Sequence, residues 1–593
     1  MEVRSTSSVF TTQTKVCQNC KGNFTIEPDD FGFYEKIKVP PPTFCPECRA
    51  IRRLIWRNER SLYKKKCNAR GHDEILVSMY PLEFKTPVYD QKYWHGDDWD
   101  PMKFGVSYNF STNFFDQLSK LVSSVPMMAL VNLHDIDSDY CNYTYQSKSC
   151  YLNFASDMNE DSAYLYHSIE NRNCFDMLGS RKNEKCFWLI DCERCYDSDH
   201  LILSEECINC KYCYDCRNCQ NCVGCFGLRN ARYCILNKQY SEEEYKKELE
   251  NLKLGTLEGC EDFTENFLKL SQKHPRKFSN SRHTVNSKGD YLNHVKNCRD
   301  CFDVEGPGED LRFVVYGVTN MKSIYDGYAV GVNIENSYEV FCAGDNMSNV
   351  EFSANIWDSF NCRYGYYLRN CSDCFGCVGL KNKKYCIFNK QYTQEEYEGI
   401  IPKIIKHMND RPYIDQKGRI YKYGEFFPAE LSPFSYNESI AQEYFPLIKE
   451  EATKKGYKWK DREERNYTLD IKNEDILKDI KDVNEKIIGK VIECEHKGNC
   501  NEQCTEAFKI IEPELQCYKR MSIPLPKLCP NCRHYQRLKK RNPFKLWHRT
   551  CMCDKTNHQN HLDIRCPSEF ETSYAPERPE IVYCEKCFQQ EVY

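Results

Sequence analysis

The chain has 593 residues, with 82 lysines and arginines against 87 aspartates and glutamates, and 39 cysteines. At about 150 residues per domain this is a several-domain protein, far too long for a small disulfide-stapled module. Mean hydropathy is −0.72, and the most apolar stretch, residues 125–133, is about half the length that a bilayer span needs, which excludes a transmembrane chain.

The first residues, MEVRSTSSVFTTQTKVCQ, hold no basic segment followed by an apolar one, so no secretory signal is recognisable and a reducing, cytoplasmic setting is expected. In that setting cysteines are metal ligands or small apolar packing groups. Cys17, Cys20, Cys45 and Cys48 form C-x2-C-x24-C-x2-C, the spacing of two knuckles that close four thiolates around one zinc ion. The text between them reads as two short strands, FTI and FYEKI, with a turn at residues 27–30 and a Pro40-Pro41-Pro42 stop. This is the expectation for a zinc ribbon, whose metal supplies folding energy that a small core lacks.

A basic run follows the second knuckle. Arg49, Arg52, Arg53, Arg57, Arg60, Lys64, Lys65 and Lys66 stand against Glu59 alone, around Trp56. Arginine forks beside a stacking aromatic suit phosphate and unpaired bases. The competing reading is a basic face that covers an acidic neighbour, in this chain or in a partner protein. Residues 113–122, NFFDQLSKLV, then read as a short amphipathic helix.

From about residue 140 an aromatic follows a cysteine or small residue at Cys150-Tyr151, Ala163-Tyr164, Cys174-Phe175, Cys186-Phe187 and Cys195-Tyr196. Short strands at such spacings point to a β-solenoid, whose stacked rungs align equivalent side chains in columns. In Cys207, Cys210, Cys213, Cys216, Cys219, Cys222 and Cys225 a cysteine stands at every third position. Period three fits neither strand nor helix; it fits a narrow coil with a corner at nearly every third residue, or a thiolate cluster.

The segment CVGCFGLRNARYCILNKQYSEEEY, from Cys222, recurs from Cys374 as CFGCVGLKNKKYCIFNKQYTQEEY. The second copy has Gly365 and Leu368 where the first has Cys213 and Cys216, which favours packing over an obligatory metal cluster or redox thiols. Each copy ends in a capping box, Ser241 with Glu244 and Thr393 with Glu396, opening a helix expected to cap the open coil. A polar linker at residues 273–288 separates the halves. Residues 409–493 read as a helical or irregular connector, with Phe426, Phe427 and residues 434–436 as core aromatics.

The C-terminal segment repeats the first ribbon without a gap from Cys20 onward: Cys504, Cys529, Cys532, Arg533, Arg537, Arg541 and Cys551 fall on Cys20, Cys45, Cys48, Arg49, Arg53, Arg57 and Cys67. Its first knuckle is loosened to Cys500 and Cys504, with Cys494 and His496 nearby as substitutes. The expected ligands are Cys500, Cys504, Cys529 and Cys532. Its basic run, Arg533, Arg537, Lys539, Lys540, Arg541, Lys545 and Arg549, holds Trp547 and no acid. A further site is expected at Cys551, Cys553, Cys584 and Cys587, with Cys566 spare. The N-terminal copy keeps Cys67 but has Asp90 and Tyr93 in place of Cys584 and Cys587, so it is expected to have lost that metal; His72, Asp90 and His95 read either as surface groups, the favoured reading, or as a site rebuilt around Cys67.

The expected architecture is mainly β: two related β-solenoid halves flanked by N- and C-terminal zinc ribbons, with short capping helices. The boundaries are 1–100 for the first ribbon and arm, 101–137 for a helical linker, 138–255 and 290–408 for the solenoid halves with 256–289 between them, 409–493 for the connector, and 494–593 for the last ribbon.

In the CPECR knuckle, the CFGCVGL and YCIFNKQYTQEEY text and the YGEFFPAELSPFSYNE segment, the chain resembles a family of uncharacterised cysteine-rich proteins from uncultivated bacterial lineages. The ribbon also resembles a broad class of zinc-ribbon domains. The resemblance implies zinc at Cys17, Cys20, Cys45 and Cys48, and it implies no activity.

The sequence has no H-E-x-x-H, G-x-S-x-G, P-loop or Rossmann glycine pattern, and four-thiolate zinc sites are closed, so a non-enzyme is expected. The leading expectation is a scaffold with about three structural zinc ions that grips RNA or DNA through Arg49, Arg52, Arg53, Trp56, Arg57, Arg533, Arg537, Lys540, Arg541 and Trp547. The alternatives are a protein-interaction scaffold whose basic arms meet an acidic partner protein, and a thiol-based metal or redox protein.

Overall fold

The computed structural model describes residues 10–318, 320–332, 334–462, 467–556, 558–559, 561 and 565–592. The protein is mainly β, and its contacts divide it into two compact units, each discontinuous in sequence. One unit is Met1–Asn58, Tyr63–Ala129 and Ser279–Lys460; the other is Glu59–Leu62, Leu130–Phe278 and Asp461–Tyr593. The first therefore joins the N-terminal ribbon to the second solenoid half, and the second joins the C-terminal ribbon to the first solenoid half.

The solenoid of the second unit is built from triplets. Parallel bridges link Ile136 to Lys148, Asp139 to Tyr151, Asn142 to Phe154 and so on to Arg217–Arg229, every third residue pairing with the one 12 positions later. The residue after each bridge is left-handed, as at Asp161, Tyr164, His167 and Glu170, with φ of 49°, 64°, 48° and 56°. The third residue points inward. A coil thus turns a corner at every third residue, as expected from the cysteine spacing, and Asn and Asp recur at the corners because they tolerate this conformation.

Four inward columns follow. In one, Asn159, Asn171 and Asn183 stack so that the Asn159 side-chain oxygen accepts from the Asn171 amide (2.9 Å) and the Asn171 oxygen from the Asn183 amide (3.0 Å). Further along, the columns become cysteine: Cys207, Cys210, Cys213 and Cys216 fill one coil and are fully buried. The Cys207 thiol donates to the carbonyls of Glu205 (3.5 Å) and Cys216 (3.4 Å), and Cys210 and Cys213 repeat the pattern. Small, buried S–H groups placed this way satisfy their polar hydrogens on the coil carbonyls.

The other solenoid is a parallel sheet with a longer coil. Phe302 pairs with Val315 and Tyr328 with Phe341, and the final coils return to the shorter step, Cys362 pairing with Cys374 and Cys374 with Cys386. Its core is mostly branched aliphatic, from Leu292 through Ile324, Val340 and Ile356, with cysteine at the end.

Both solenoids end as expected. Helices Glu242–Asn251 and Gln394–Asp410 start at Ser241 and Thr393 with complete capping boxes. Tyr245 is buried in a cluster with Val223, Ile235 and Phe263. Helix Phe114–Ser124 is capped by Asn113. The polar linker is partly strand: Arg276–Lys277 pairs with Val582–Tyr583, and Arg282–Val285 begins the long sheet. The connector is irregular, and Phe426, Phe427, Phe434 and Tyr436 are buried in it.

The ribbon differs from expectation at one element. The strand holding FTI, Asn23–Ile26, pairs with Gln13–Val16, so the first knuckle is the turn of that hairpin. FYEKI lies in no strand; Pro28–Lys36 is a helix. Pro28 at its first position, Asp29 and Asp30 in its first turn and a Glu27–Asp30 capping box are helix-start signals that outweigh the aromatic, strand-like text after them.

Candidate metal centres and the arginine arms

Four sulfurs meet in the first ribbon. Cys17, Cys20, Cys45 and Cys48 lie within 4.8 Å of one another. Cys45 caps helix Pro46–Leu54, and its amide donates to Cys17 Sγ (3.2 Å). Asn19 donates to Cys48 Sγ (3.2 Å). A tetrahedron of 2.3 Å metal–sulfur bonds has edges of about 3.8 Å, and Cys20 and Cys45 are 3.7 Å apart. Thiol hydrogen bonds from Cys45 and then Cys48 hold the Cys17 thiol far below its usual pKa despite burial, while the same bonding to Cys17 pushes the Cys45 and Cys48 thiols up.

In the C-terminal ribbon the structure gathers a different set of four thiols from the expected one. The group is Cys494, Cys504, Cys529 and Cys532, all buried, with Cys494–Cys532 and Cys504–Cys529 both at 4.0 Å. Cys500 lies outside this set, 3.8 Å from Cys532 and grouped with His496 and Glu502. Cys494 holds the place of Cys17: it follows strand Ile492–Glu493 as Cys17 follows Gln13–Val16, and Cys529 N–H donates to its sulfur (3.3 Å) as Cys45 N–H does to Cys17. The looser knuckle holds additional residues, which is why local spacing points to the wrong cysteine. Thiol hydrogen bonding from Cys494 leads the shift that brings Cys504 down to about 6.

The last cluster is also rearranged. Cys566, spare in the sequence pattern, joins Cys551, Cys584 and Cys587, while Cys553 turns to His558, His561 and Cys587. Cys566 Sγ is 3.9 Å from Cys584 Sγ, and Cys584 N–H donates to Cys551 Sγ (3.2 Å). Cys566 N–H bonds the Cys553 carbonyl (3.0 Å), and the two side chains fall in different groups. In the N-terminal copy Asp90 N–H donates to Cys67 Sγ (3.4 Å), the same contact with a carboxylate residue in place of the cysteine. Asp90 there caps helix Gln91–His95, and His72 pairs with Glu74 (2.6 Å).

Arg49, Arg52, Arg53, Arg57, Arg533, Arg537 and Arg541 are buried within their own units. Arg49 meets Oδ2 of Asp326 (2.9 Å) and Arg53 its Oδ1 (3.1 Å). Arg52 bridges Glu339 (2.5 Å) and Glu425 (2.8 Å). In the other unit Arg533 meets Oδ2 of Asp176 (3.1 Å), Arg537 its Oδ1 (2.6 Å), and Arg541 reaches Asp191 (2.8 Å). In each case two arginines one helical turn apart straddle one aspartate at a left-handed solenoid corner; φ is 59° at Asp326 and 56° at Asp176.

Arg49, Arg53, Arg533, Arg537 and both aspartates expose 4% or less. Burial opposes the Arg49 charge, yet Asp326 and neighbouring tyrosines hold its pKa well above the usual value. Burial pushes Arg537 down to about 10 against the pull of Asp176. Trp56 is buried and donates to the Pro428 carbonyl (3.3 Å); Arg57 is buried over the Tyr328 ring. Of the residues expected at a nucleic-acid surface, Lys540 is exposed and Trp547 half-buried. The buried arginines of the basic runs thus cover acidic neighbours in the same chain, while Lys64, Lys66, Lys539, Lys540 and Lys545 are exposed. The missing signal in the sequence was the pairing of each arm with the distant solenoid half that carries its aspartate.

No family model and no curated protein matches the chain. Among the described residues no helix is long and apolar enough to cross a membrane.

Proposed function

We propose that this protein is a zinc-stabilised, non-enzymatic scaffold that offers the open faces of its solenoids to a protein partner. Zinc is the metal that four-thiolate, closed, tetrahedral sites suit best, and such a site has no open position for chemistry. The observation that carries the reading is the burial of the arm arginines on Asp326 and Asp176, which commits the groups best suited to phosphate to holding each ribbon on its coil.

The coil of the second unit leaves outward groups available. Tyr196 and Ile208, one coil apart, are 39% and 41% exposed, beside an ion-pair ladder of Lys148, Glu160 and Arg172. Exposed aromatic and aliphatic groups with a polar surround are interface anchors.

Affinity capture with the full chain after nuclease treatment tests the reading, with metal content measured on the same sample. A stoichiometric protein partner that is lost with Ile208→Asp supports it. Nuclease-sensitive nucleic acid that leaves steeply with salt overturns it in favour of nucleic-acid binding.

A further inference from the structure

The C-terminal cluster contains more ligands than one ion can use. Cys551, Cys566, Cys584 and Cys587 form one group of four, and Cys553, His558, His561 and Cys587 form a second, with Cys587 common to both. Cys553 and Cys587 are fully buried, and His558 and His561 expose 4% and 9%. Cys553 Sγ lies 3.3 Å from His558 Nδ1, and Cys587 Sγ lies 3.3 Å from His561 Nε2. A tetrahedral ion with bonds of 2.3 Å to sulfur and 2.1 Å to nitrogen places such atoms about 3.6 Å apart.

An independent observation comes from the far side of the ring. His558 presents Nδ1 to the sulfur and Nε2 to the Glu591 carboxylate, at 2.9 Å. A carboxylate on the remote ring nitrogen fixes tautomer and orientation and is the usual outer partner of a metal-bound histidine. Glu591 lies on helix Glu585–Val592, which also carries Cys587, so one short helix supplies both the shared thiolate and the outer carboxylate.

We propose that this cluster holds a pair of zinc ions bridged by the Cys587 thiolate: one bound by Cys551, Cys566, Cys584 and Cys587, the other by Cys553, His558, His561 and Cys587. The bridge lowers the charge of the all-sulfur site by sharing one thiolate between two dications. The two-sulfur, two-nitrogen set also selects zinc over calcium or magnesium. The ribbon group His496, Cys500, Glu502 and Cys532 is a weaker counterpart, because Glu502 there is paired with Lys539.

This inference deepens the zinc reading and fails separately from it. The test is elemental analysis of the full chain together with 113Cd NMR after cadmium exchange, on the wild type, His558→Gln/His561→Gln and Cys553→Ser. Two cadmium resonances coupled to each other through sulfur are expected in the wild type, one of them shifted as nitrogen ligation requires. Each variant is expected to lose about one equivalent of metal and the coupling, and to keep the all-sulfur resonance. Cys553→Ser guards against misfolding of the histidine variant, since it removes no ligand of the all-sulfur site. The absence of any mutually coupled pair among the wild-type resonances, with metal content unchanged in the variants, overturns the bridged pair and leaves the four-thiolate sites standing. No metal retained at any site overturns the zinc reading itself.

Discussion

The two ribbon modules are a duplicated pair in which the common parts and the divergent parts separate cleanly. Both have a nine-residue helix, Pro46–Leu54 or Pro530–Leu538, capped by a cysteine and carrying the second knuckle. Both place two arginines from that helix, or its frame, on one buried aspartate of a solenoid corner. They differ in the first knuckle, tight on one side and loose on the other, and in the side chains after the arm: both keep a hairpin there, but Asp90 and Tyr93 stand where the C-terminal copy has Cys584 and Cys587. The lesson is that the helix, its two thiolates and its arginine pair form the working unit, linking a metal site to a coil. The first-knuckle hairpin and the second cluster can vary around it.

Metal removal probes that comparison most severely. Structural zinc contributes on the order of 10–16 kcal/mol to small sites, so chelation is expected to unfold both ribbons while the coils remain. Hydrogen exchange should show lost protection in Gln13–Val16 and Asn23–Ile26 with the bridges of residues 136–229 still protected. Acid acts in the same direction, because protonated thiols release the metal.

Next in size is the loss of one corner carboxylate. Asp176→Ala and Asp326→Ala each strand buried arginines, at about 3–5 kcal/mol. Asp326→Ala leaves Arg49 the Phe44 carbonyl (2.8 Å) and Arg53 Glu339 (3.5 Å), and Asp176→Ala leaves Arg537 the Tyr164 carbonyl (3.4 Å) and Arg533 Glu514 (3.0 Å), so similar losses are expected. Denaturant unfolding of both variants reads the losses, and clearly unequal ones would show that the two plugs are not energetically interchangeable.

The knuckles are sharpened by serine substitution. Cys494→Ser should weaken metal binding at the C-terminal ribbon by at least about 100-fold, the upper range for losing even an outer partner, while Cys500→Ser leaves it near the original value. Competition with a chromogenic chelator measures both, and the reverse order would restore Cys500 as the ligand.

The smallest effect concerns the coils. Asn171→Ala removes the side-chain oxygen that accepts from the Asn183 amide and should cost about 1–3 kcal/mol by leaving a buried donor unpaired. The other coil, with its branched aliphatic core, depends on packing at equivalent depth. There Ile356→Val is expected to cost about 0.5–1.5 kcal/mol.

Much of this was legible in the sequence. The period-three cysteines from Cys207 to Cys225 gave the corner frequency of the coil, because every third residue is inward and cysteine fills that place in several coils. The capping boxes at Ser241 and Thr393 located two helices, since that motif acts through neighbouring residues alone. The first group of four thiols followed from C-x2-C spacing for the same reason. What was hidden depended on distance along the chain. Cys494 and Cys566 join their clusters by loops whose path local spacing does not encode, and the partners of Arg49 and Arg533 lie 277 and 357 residues away in Asp326 and Asp176. FYEKI was misread because aromatic content outweighed the helix-start signals at Glu27 and Pro28.

The central claim is that the arm arginines serve the fold. It is tested most directly by Arg53→Ala and Arg537→Ala, with thermal midpoint and retention of single-stranded nucleic acid at fixed low salt measured on the same samples. The account predicts a lowered midpoint for both variants, with a loss of about 3–5 kcal/mol as a buried carboxylate loses a partner, and unchanged retention while the chain remains folded. Unchanged midpoints with retention falling in both variants would contradict it.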